Sequence, residues 1–214
     1  MNHSIEKYEE AFKKLEEIIE ENPADPIGYV NMANLLTQMR EYDKAMHFFD
    51  RALVLDNQVA TAYYGLGNLF YEQTMYEQAQ KYFLKAIQLG LEESDAYFML
   101  GMSFQNQGHH KFALPYFLRA TELNSSDEQL LFQYGLSLAQ VGNLDMAKST
   151  LQEVLNMSKE HSDARYNLGV IALFEDNLQE ALHFFETALE YQSDHVLAAN
   201  GIKRVQDKLQ QNQG

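Results

Sequence analysis

The chain contains no cysteine and no tryptophan, and only 3 of its 214 residues are proline. The absence of cysteine excludes disulfide bonds, zinc sites built on thiolates and thiol nucleophiles. Cationic side chains are also few, since 16 Lys and Arg residues stand against 31 Asp and Glu residues and leave a net charge of -15. Because such a charge repels phosphate backbones and anionic headgroups, we expect neither nucleic acid nor a membrane as partner.

Long apolar runs are missing as well. The first 21 residues carry Glu and Lys throughout and hold no signal-peptide core, and no uncharged stretch approaches the ~18 apolar residues of a membrane span. Hydrophobic residues nevertheless make up 46% of the chain and aromatic residues 12%, which is enough to fold. We therefore expect a folded, cytoplasmic protein.

What the sequence does contain is a repeat of 34 residues, at which offset Tyr63–Asn68 matches Tyr97–Met102. Two series of small residues recur at the same step without insertion: Ala33, Gly67, Gly101, Gly135 and Gly169, and Ala45, Ala79, Ala113, Ala147 and Ala181. The apolar positions of each repeat fall on one face of each of two helices, and the small residues let the helix axes approach closely. The pattern predicts an all-α chain of antiparallel helix pairs.

In the third full repeat, Tyr97, Leu100 and Gly101 are followed by Ala113 and Phe117, a pattern that resembles the tetratricopeptide repeat family. The resemblance covers almost the whole chain, and within the family the chain is similar to small stand-alone bacterial repeat proteins. It implies a right-handed superhelical solenoid in a single domain of residues 1–214, with five full repeats at 26–59, 60–93, 94–127, 128–161 and 162–195. A half repeat at 5–25 would precede them, and a capping helix at 196–209 and a tail at 210–214 would follow.

Several residues depart from the ideal repeat. A left-handed turn is expected between the two helices of a repeat, and glycine suits it at Gly108 and Gly142, whereas Arg40, Thr74 and Asp176 hold the same place at some cost. Arg165 stands where the other repeats carry an aromatic or large apolar residue, which predicts weaker packing there. Pro115 predicts a late start or a bend in the second helix of its repeat.

On the first helix of each repeat, positions 2, 5, 6, 9, 12 and 13 share the face opposite the packing stripe, given about 100° per residue. We call it the open face, and the resemblance implies that it lines a concave groove. At positions 5 and 9 it is apolar or amide-bearing, and none of the 16 Lys and Arg residues lies on the face in any full repeat. The predicted partner-binding residues are Asn31, Asn34, Tyr64, Asn68, Tyr71, Phe98, Met99, Met102, Gln105, Phe132, Gln133, Leu136, Tyr166, Asn167, Val170, Leu173 and Phe174.

Two interpretations of the position 5 aromatics stay open, since Tyr64, Phe98, Phe132 and Tyr166 either line the groove or pack against the next repeat. The apolar side chains at the other positions favour recognition of side chains, because methionine adapts its shape and clustered apolar groups mark interaction sites. Asn31, Asn34 and Asn68 offer donors and acceptors to an extended peptide backbone. The open face would then bind backbone near its amino-terminal end and side chains further on.

We find no motif for catalysis, because the chain has no Walker loop, dinucleotide-binding glycine motif, His-Glu-x-x-His or Gly-x-Ser-x-Gly. The adjacent pair His109 and His110 lacks the spacing of a helical metal site, so we expect neither metal nor cofactor. The sequence predicts a non-catalytic scaffold or adaptor rather than an enzyme. An accessory domain of an enzyme is a remote alternative.

The expected partner is a protein segment that is extended and apolar or weakly basic. A secretion-type chaperone that shields an apolar client is the alternative. Relatives that clamp the acidic tail of chaperones use paired Lys, Arg and Asn on the open face, and the full repeats here lack the cations. A monomer is favoured, and a homodimer through the amino-terminal half repeat is the alternative, because Phe12 or Ile19 is expected to be partly exposed.

Overall fold

The computed structural model describes the backbone of residues 2–211 and the side chains of residues 7–211. Within that range the chain is α-helical throughout, with no strand, and the predicted all-α fold of helix pairs is confirmed. The helices are α1 (Asn2–Glu21), α2 (Pro26–Gln38), α3 (Tyr42–Leu55), α4 (Ala60–Glu72), α5 (Tyr76–Gln88), α6 (Ser94–Gln105), α7 (His110–Leu123), α8 (Glu128–Gln140), α9 (Leu144–Met157), α10 (Ser162–Phe174), α11 (Leu178–Tyr191) and α12 (Val196–Gln211). None of these helices is long and apolar enough to cross a bilayer.

The helices form two compact units, Met1–His109 and His110–Gly214, which we describe one at a time. That residues 1–214 make up one domain therefore stays a prediction. The helices that open the repeats begin at intervals of 34 residues, at Pro26, Ala60, Ser94, Glu128 and Ser162, and α12 begins at Val196 in the same register. Gln210 and Gln211 of the predicted tail belong to α12, and the rest of that tail, 212–214, lies outside the described residues.

The turn between the two helices of each repeat contains one residue with positive φ. The angles are 61° at Arg40, 59° at Thr74, 76° at Gly108, 85° at Gly142 and 62° at Asp176. The N–H of the residue after the turn then reaches back to a helix carbonyl, as when Glu41 donates to Leu36 at 2.9 Å. The predicted left-handed turn is confirmed, including at three residues that are not glycine.

The core of the first unit is built on buried aromatic rings that meet glycine on the next helix. Phe49 of α3 is fully buried, and a Cβ atom on Gly65 of α4 would lie 2.4 Å from its Cε1 atom. Helix α1 adds Phe12, Leu15 and Ile19 to the same core. Phe12 and Ile19 are half-buried, so the expectation that they are partly exposed is confirmed.

The second unit repeats this arrangement at its carboxyl-terminal end. The ring of the buried Phe185 lies between two glycines, since a Cβ atom would come within 2.6 Å of it on Gly169 and within 2.8 Å on Gly201. Gly201 belongs to α12, which covers the last repeat with the apolar stripe predicted for it: Ala198, Ile202, Val205 and Leu209. The capping helix therefore packs as a further first helix would.

One expectation about an irregular position is corrected. Helix α7 begins at His110, in register with the other second helices, and carries Pro115 in its interior, so the late start is wrong. The proline follows the first turn, where its missing N–H would have had a helical partner, and tertiary packing holds the helix in register despite it.

Arg165, where weaker packing was expected because an aromatic or large apolar residue is missing, makes a contact that the repeat pattern did not indicate. The guanidinium carbon of Arg165 lies 4.2 Å from the ring centroid of Tyr191, at the end of α11. The first two repeats carry the reverse pair, with a tyrosine on the first helix and a cation on the second, at 5.9 Å for Tyr29 and Arg51. A cation–π contact thus stands where the other repeats have aromatic or apolar packing, and weaker packing at Arg165 stays a prediction.

Candidate functional site

The predicted partner-binding residues lie on the first helices of the repeats, and within each unit these helices touch one another. In the first unit α4 contacts both α2 and α6, and in the second unit α10 contacts both α8 and α12. The open face of each unit is therefore continuous across its first helices. Asn31, Val170 and Phe174 are exposed, and the other fourteen predicted residues are half-buried.

The open face of the first unit contains a polar pocket of about 650 Å³. Three of the predicted residues, Asn34, Tyr64 and Asn68, line it, together with Tyr8, Thr37, Gln38, Arg40 and Glu72. The other predicted residues of this unit lie outside the pocket: Asn31, Tyr71, Phe98, Met99, Met102 and Gln105. The lining offers amides, hydroxyls and one charge of each sign, a set that suits the N–H and C=O groups of a peptide backbone.

Two tyrosines of this face are held by amides. Burial raises the pKa of Tyr64 above its usual value, and a hydrogen bond with Asn68 opposes part of that rise. Asn106 donates from Nδ2 to the hydroxyl of Tyr71 at 2.8 Å, and burial raises the pKa of Tyr71 as well. Both hydroxyls are therefore neutral near pH 7. Because the hydroxyl of Tyr71 accepts the N–H of Asn106, its own proton can be donated to a carbonyl of a ligand.

The open face of the second unit contains a more apolar pocket of about 610 Å³ between α10 and α12. Tyr166, Val170, Leu173 and Phe174 line it from α10, as predicted positions on successive turns of one helix face. The pocket lies beside exposed apolar surface, because Phe174 is 80% exposed and Leu197 of α12 is 55% exposed. The other predicted residues of this unit, Phe132, Gln133, Leu136 and Asn167, lie outside the pocket.

Two of the position 5 aromatics make contacts that the sequence did not specify, and their place in a binding site stays a prediction. The ring centroid of Tyr64 lies 5.7 Å from that of Phe83, and the centroid of Tyr166 lies 5.8 Å from that of Phe185. Each ring therefore packs on the second helix of its own repeat while the residue stays half-buried. Val30 at the same position is 2% exposed and belongs entirely to the core.

Two histidines support this face in the second unit, and neither was singled out in the sequence. Nδ1 of His161 accepts the N–H of Ala164 at 3.2 Å, and its ring lies 4.5 Å from that of Phe132 between centroids. Nδ1 of His195 accepts the N–H of Ala198 at 3.2 Å. Each histidine thus caps the next first helix. The sequence could have indicated both caps, because His161 and His195 occupy the last position of a repeat, the position at which Asp127 caps α8.

His195 also connects the cap to the open face. Its Nε2 lies 3.1 Å from Oδ1 of Asp163, and its ring centroid lies 5.3 Å from that of Tyr166. Because Nδ1 accepts a backbone N–H, the proton of the neutral ring is on Nε2 and is donated to the carboxylate. The position 5 ring of this repeat is therefore held between a buried phenylalanine and a hydrogen-bonded histidine.

The largest group of residues that the sequence reasoning missed belongs to α12. Counted from Val196, positions 2, 5, 6, 9, 12 and 13 of this helix all line the second-unit pocket: Leu197, Asn200, Gly201, Arg204, Asp207 and Lys208. The rule for the open face predicts this set once it is applied to the capping helix. It brings two cations to these six positions, where the full repeats have none.

No metal-binding cluster is present among the side chains that the structure describes, where three or more His, Asp or Glu groups never converge. His109 ends the turn after α6, and His110 begins α7. The linings of the two pockets consist of apolar, hydrogen-bonding and charged side chains.

Comparisons with known proteins identify the repeat family and its fold. Tetratricopeptide repeat models match residues 6–60, 64–128 and 132–200. The structure of YrrB, described as a TPR protein with an unusual peptide-binding site, is 41% identical with a TM-score of 0.83, over 90% of this chain and 100% of that one. No curated protein matches the chain in sequence.

Two more distant structures share the fold alone. MamA is 19% identical with a TM-score of 0.71, over 77% of this chain and 96% of that one. PilF of Pseudomonas aeruginosa is 18% identical with a TM-score of 0.76, over 96% of this chain and 91% of that one.

Proposed function

Since the chain belongs to the tetratricopeptide repeat family, whose fold serves as a scaffold for protein–protein interaction, we propose that it is a non-catalytic adaptor. In this proposal the open faces of its first helices bind an extended segment of a partner protein. The bound segment is apolar or weakly basic over most of its length. YrrB, with its peptide-binding site and 41% identity, supports a peptide as the ligand.

The observation that carries the proposal is the exposed apolar surface around the second-unit pocket. Phe174, Leu197 and Val170 are 80%, 55% and 38% exposed, and all three line the same pocket. A side chain kept in water contributes nothing to the core, and grouped apolar surface of this kind marks interaction sites. Methionine and amide side chains on the first-unit face add contacts that adapt to a peptide.

The charge of the molecule limits the ligand. With a net charge of -15, and with Glu72 and Asp95 on the open face of the first unit, a strongly acidic segment is repelled. A neutral or weakly basic segment meets no such penalty. The first-unit face therefore favours backbone contacts to a segment of that kind.

Binding to an array of immobilised peptides tests the proposal. The peptides are about 12 residues long, span at most ~40 Å when extended, and vary in apolar, acidic and basic content. We expect apolar and weakly basic sequences to bind, and the double variant Val170→Ser with Phe174→Ala to lose about tenfold in affinity or more. Both side chains are exposed, so the melting temperature should stay close to that of the parent.

Met146→Ala is the matched control, because it removes an apolar side chain that is 47% exposed on the second helix α9 of the same unit. It should leave peptide binding unchanged. Absence of binding to every peptide, or equal loss in the control, would overturn the proposal. A client-shielding chaperone would instead bind most apolar peptides with no preference among sequences.

A further inference from the structure

We infer that the pocket between α10 and α12 binds an apolar side chain that is followed by an acidic one in the same partner segment, with Arg204 contacting the carboxylate. The inference rests on the proposed function, because it specifies what one part of that binding face selects. It assigns a specificity role to the capping helix, which otherwise only covers the last repeat.

The apolar half of the pocket has the lining and the volume to bind a side chain. Tyr166 and Leu173 are half-buried beneath the exposed side chains of Val170, Phe174 and Leu197, and all five line the pocket. A volume of about 610 Å³ exceeds that of one side chain. The pocket can therefore admit an apolar side chain together with the backbone on either side of it.

The polar half is a stripe on α12. Asn200, Arg204 and Lys208 follow one another at intervals of four residues, which places them on successive turns of one helix face. Nζ of Lys208 donates to Oδ1 of Asp176 at 2.7 Å, so a carboxylate of the protein itself already balances that ammonium group. Among the described residues, Arg204 forms neither an ion pair nor a side-chain hydrogen bond.

The charge balance of this pocket differs from that of the molecule. Its lining carries Arg204, Lys208 and Asp207, and Asp176 outside the lining pairs with Lys208, so the charges around the pocket sum to about zero in a chain whose net charge is -15. The guanidinium of Arg204, which pairs with no described residue, lies beside apolar surface. An apolar side chain bound there would exclude water from one side of it, so that its interaction with an anion is screened less than in open water. An anionic group next to an apolar one is the ligand that complements this lining.

A carboxylate is favoured because a guanidinium presents N–H groups in a planar fork that matches its two oxygens. We assign that carboxylate to an Asp or Glu side chain within the segment. The pocket lining extends beyond Arg204 in both directions along α12, to Asn200 and to Gln211, so the segment continues past the contact. The expected motif is an apolar residue followed by Asp or Glu within an otherwise neutral or weakly basic segment.

Three labelled peptides test the inference by fluorescence anisotropy. They are acetylated, amidated, Leu- and Asn-rich chains of about 12 residues, and they differ only in a central Leu-Glu, Leu-Gln or Leu-Lys pair. We expect the Glu peptide to bind about five- to tenfold more tightly than the Lys peptide at about 0.05 M salt, and the ratio to shrink at about 0.5 M salt. Arg204→Ala should reduce the affinity for the Glu peptide to that for the Gln peptide, and Arg204→Glu should reverse the order.

Lys203→Ala is the control, because it removes the same charge from an exposed neighbour on α12 that does not line the pocket. It should leave the ratio of affinities unchanged. Equal affinities for the three peptides, or an equal effect of both alanine variants, would overturn the inference and leave the proposed function standing. The Gln peptide is also made with a free carboxyl terminus. Binding of that free-acid peptide, where the amidated Glu peptide does not bind, would overturn the assignment to a side chain. If no peptide binds in either form, the proposed function fails as well.

Discussion

The ring of Phe49 packs so closely on Gly65 that a Cβ atom at residue 65 would lie 2.4 Å from Cε1 of the ring. Phe49 belongs to the second helix of the first full repeat, and Gly65 belongs to the first helix of the next repeat, so this contact joins two repeats. The ring is fully buried, so it can move away from a new Cβ atom only if its neighbours move too. Stability of the stack therefore depends on a residue whose side chain is a hydrogen atom.

Gly65→Ala is expected to destabilise the protein by about 1–3 kcal/mol through overpacking, even though alanine favours helix. Gly28→Ala is the control, because a Cβ atom there would lie 3.1 Å from its nearest atom, Cγ1 of the half-buried Ile19, and a shift of a few tenths of an ångström makes room for it. It should be neutral or slightly stabilising. Chemical denaturation of both variants measures the difference, and a Gly65→Ala variant as stable as the parent would mean that the packing of repeats is misassigned.

The left-handed turns offer a stabilising substitution. Thr74 has a φ of 59°, a region that a β-branched residue adopts at a cost of roughly 1–2 kcal/mol. Thr74→Gly removes that strain but loosens the unfolded chain, so we expect a net gain of about 0.5–1 kcal/mol. Gly142→Ala, at a φ of 85°, should lose stability by a similar amount. Thermal unfolding of the two variants measures these changes, and a loss of stability in Thr74→Gly would contradict the turn geometry.

Three phenylalanines of the second unit test the division between core and open face. Removal of the fully buried Phe185 should cost about 3–5 kcal/mol, and removal of the half-buried Phe132 about half as much. Phe174→Ala, at 80% exposure, should cost less than about 0.5 kcal/mol. If Phe132→Ala loses as much as Phe185→Ala, then Phe132 is core and the open face does not include it.

Tyrosines of the first-unit face predict a loss of stability at alkaline pH. Burial raises the pKa of Tyr64 and of Tyr71, so the folded state holds their protons more tightly than the unfolded chain does. Their contribution is fully present below about pH 10, the pKa of an unfolded tyrosine, and is lost as pH rises through the folded pKa. The double variant Tyr64→Phe with Tyr71→Phe should therefore lose less melting temperature than the parent between about pH 8 and pH 11. An identical loss would show that these hydroxyls do not titrate with unfolding.

Most of the fold could be read from spacing, because a residue as small as Gly169 at every thirty-fourth position has a single physical use, the close approach of two helices. The start of α4 at Ala60 and of α10 at Ser162 follows from that register. The contact of Arg165 with Tyr191 could not be found this way. It depends on how a long side chain turns across to another helix, which the repeat register does not specify.

The site could be predicted in part. The helical period placed Val170 and Phe174 on one face, and the structure brings both to one pocket. The same period also places Arg204 on this face. It was not predicted there because the full repeats end before α12, and the six positions were counted only in full repeats. The cap formed by His195 was missed because histidine is an uncommon helix cap and because its partner Asp163 is distant in sequence.

Photocrosslinking on the second unit tests the central claim most directly. A benzophenone amino acid is placed singly at Asn167 or Val170 of the open face, and singly at the exposed Gln152 or Glu186 of the second helices. Each variant is irradiated with the amidated peptide of about 12 residues that binds most tightly in the array. We predict crosslinks from the two open-face positions and none from the two second-helix positions. Crosslinks of equal yield from the second helices, or a bound peptide that reacts with neither open-face position, would contradict the account.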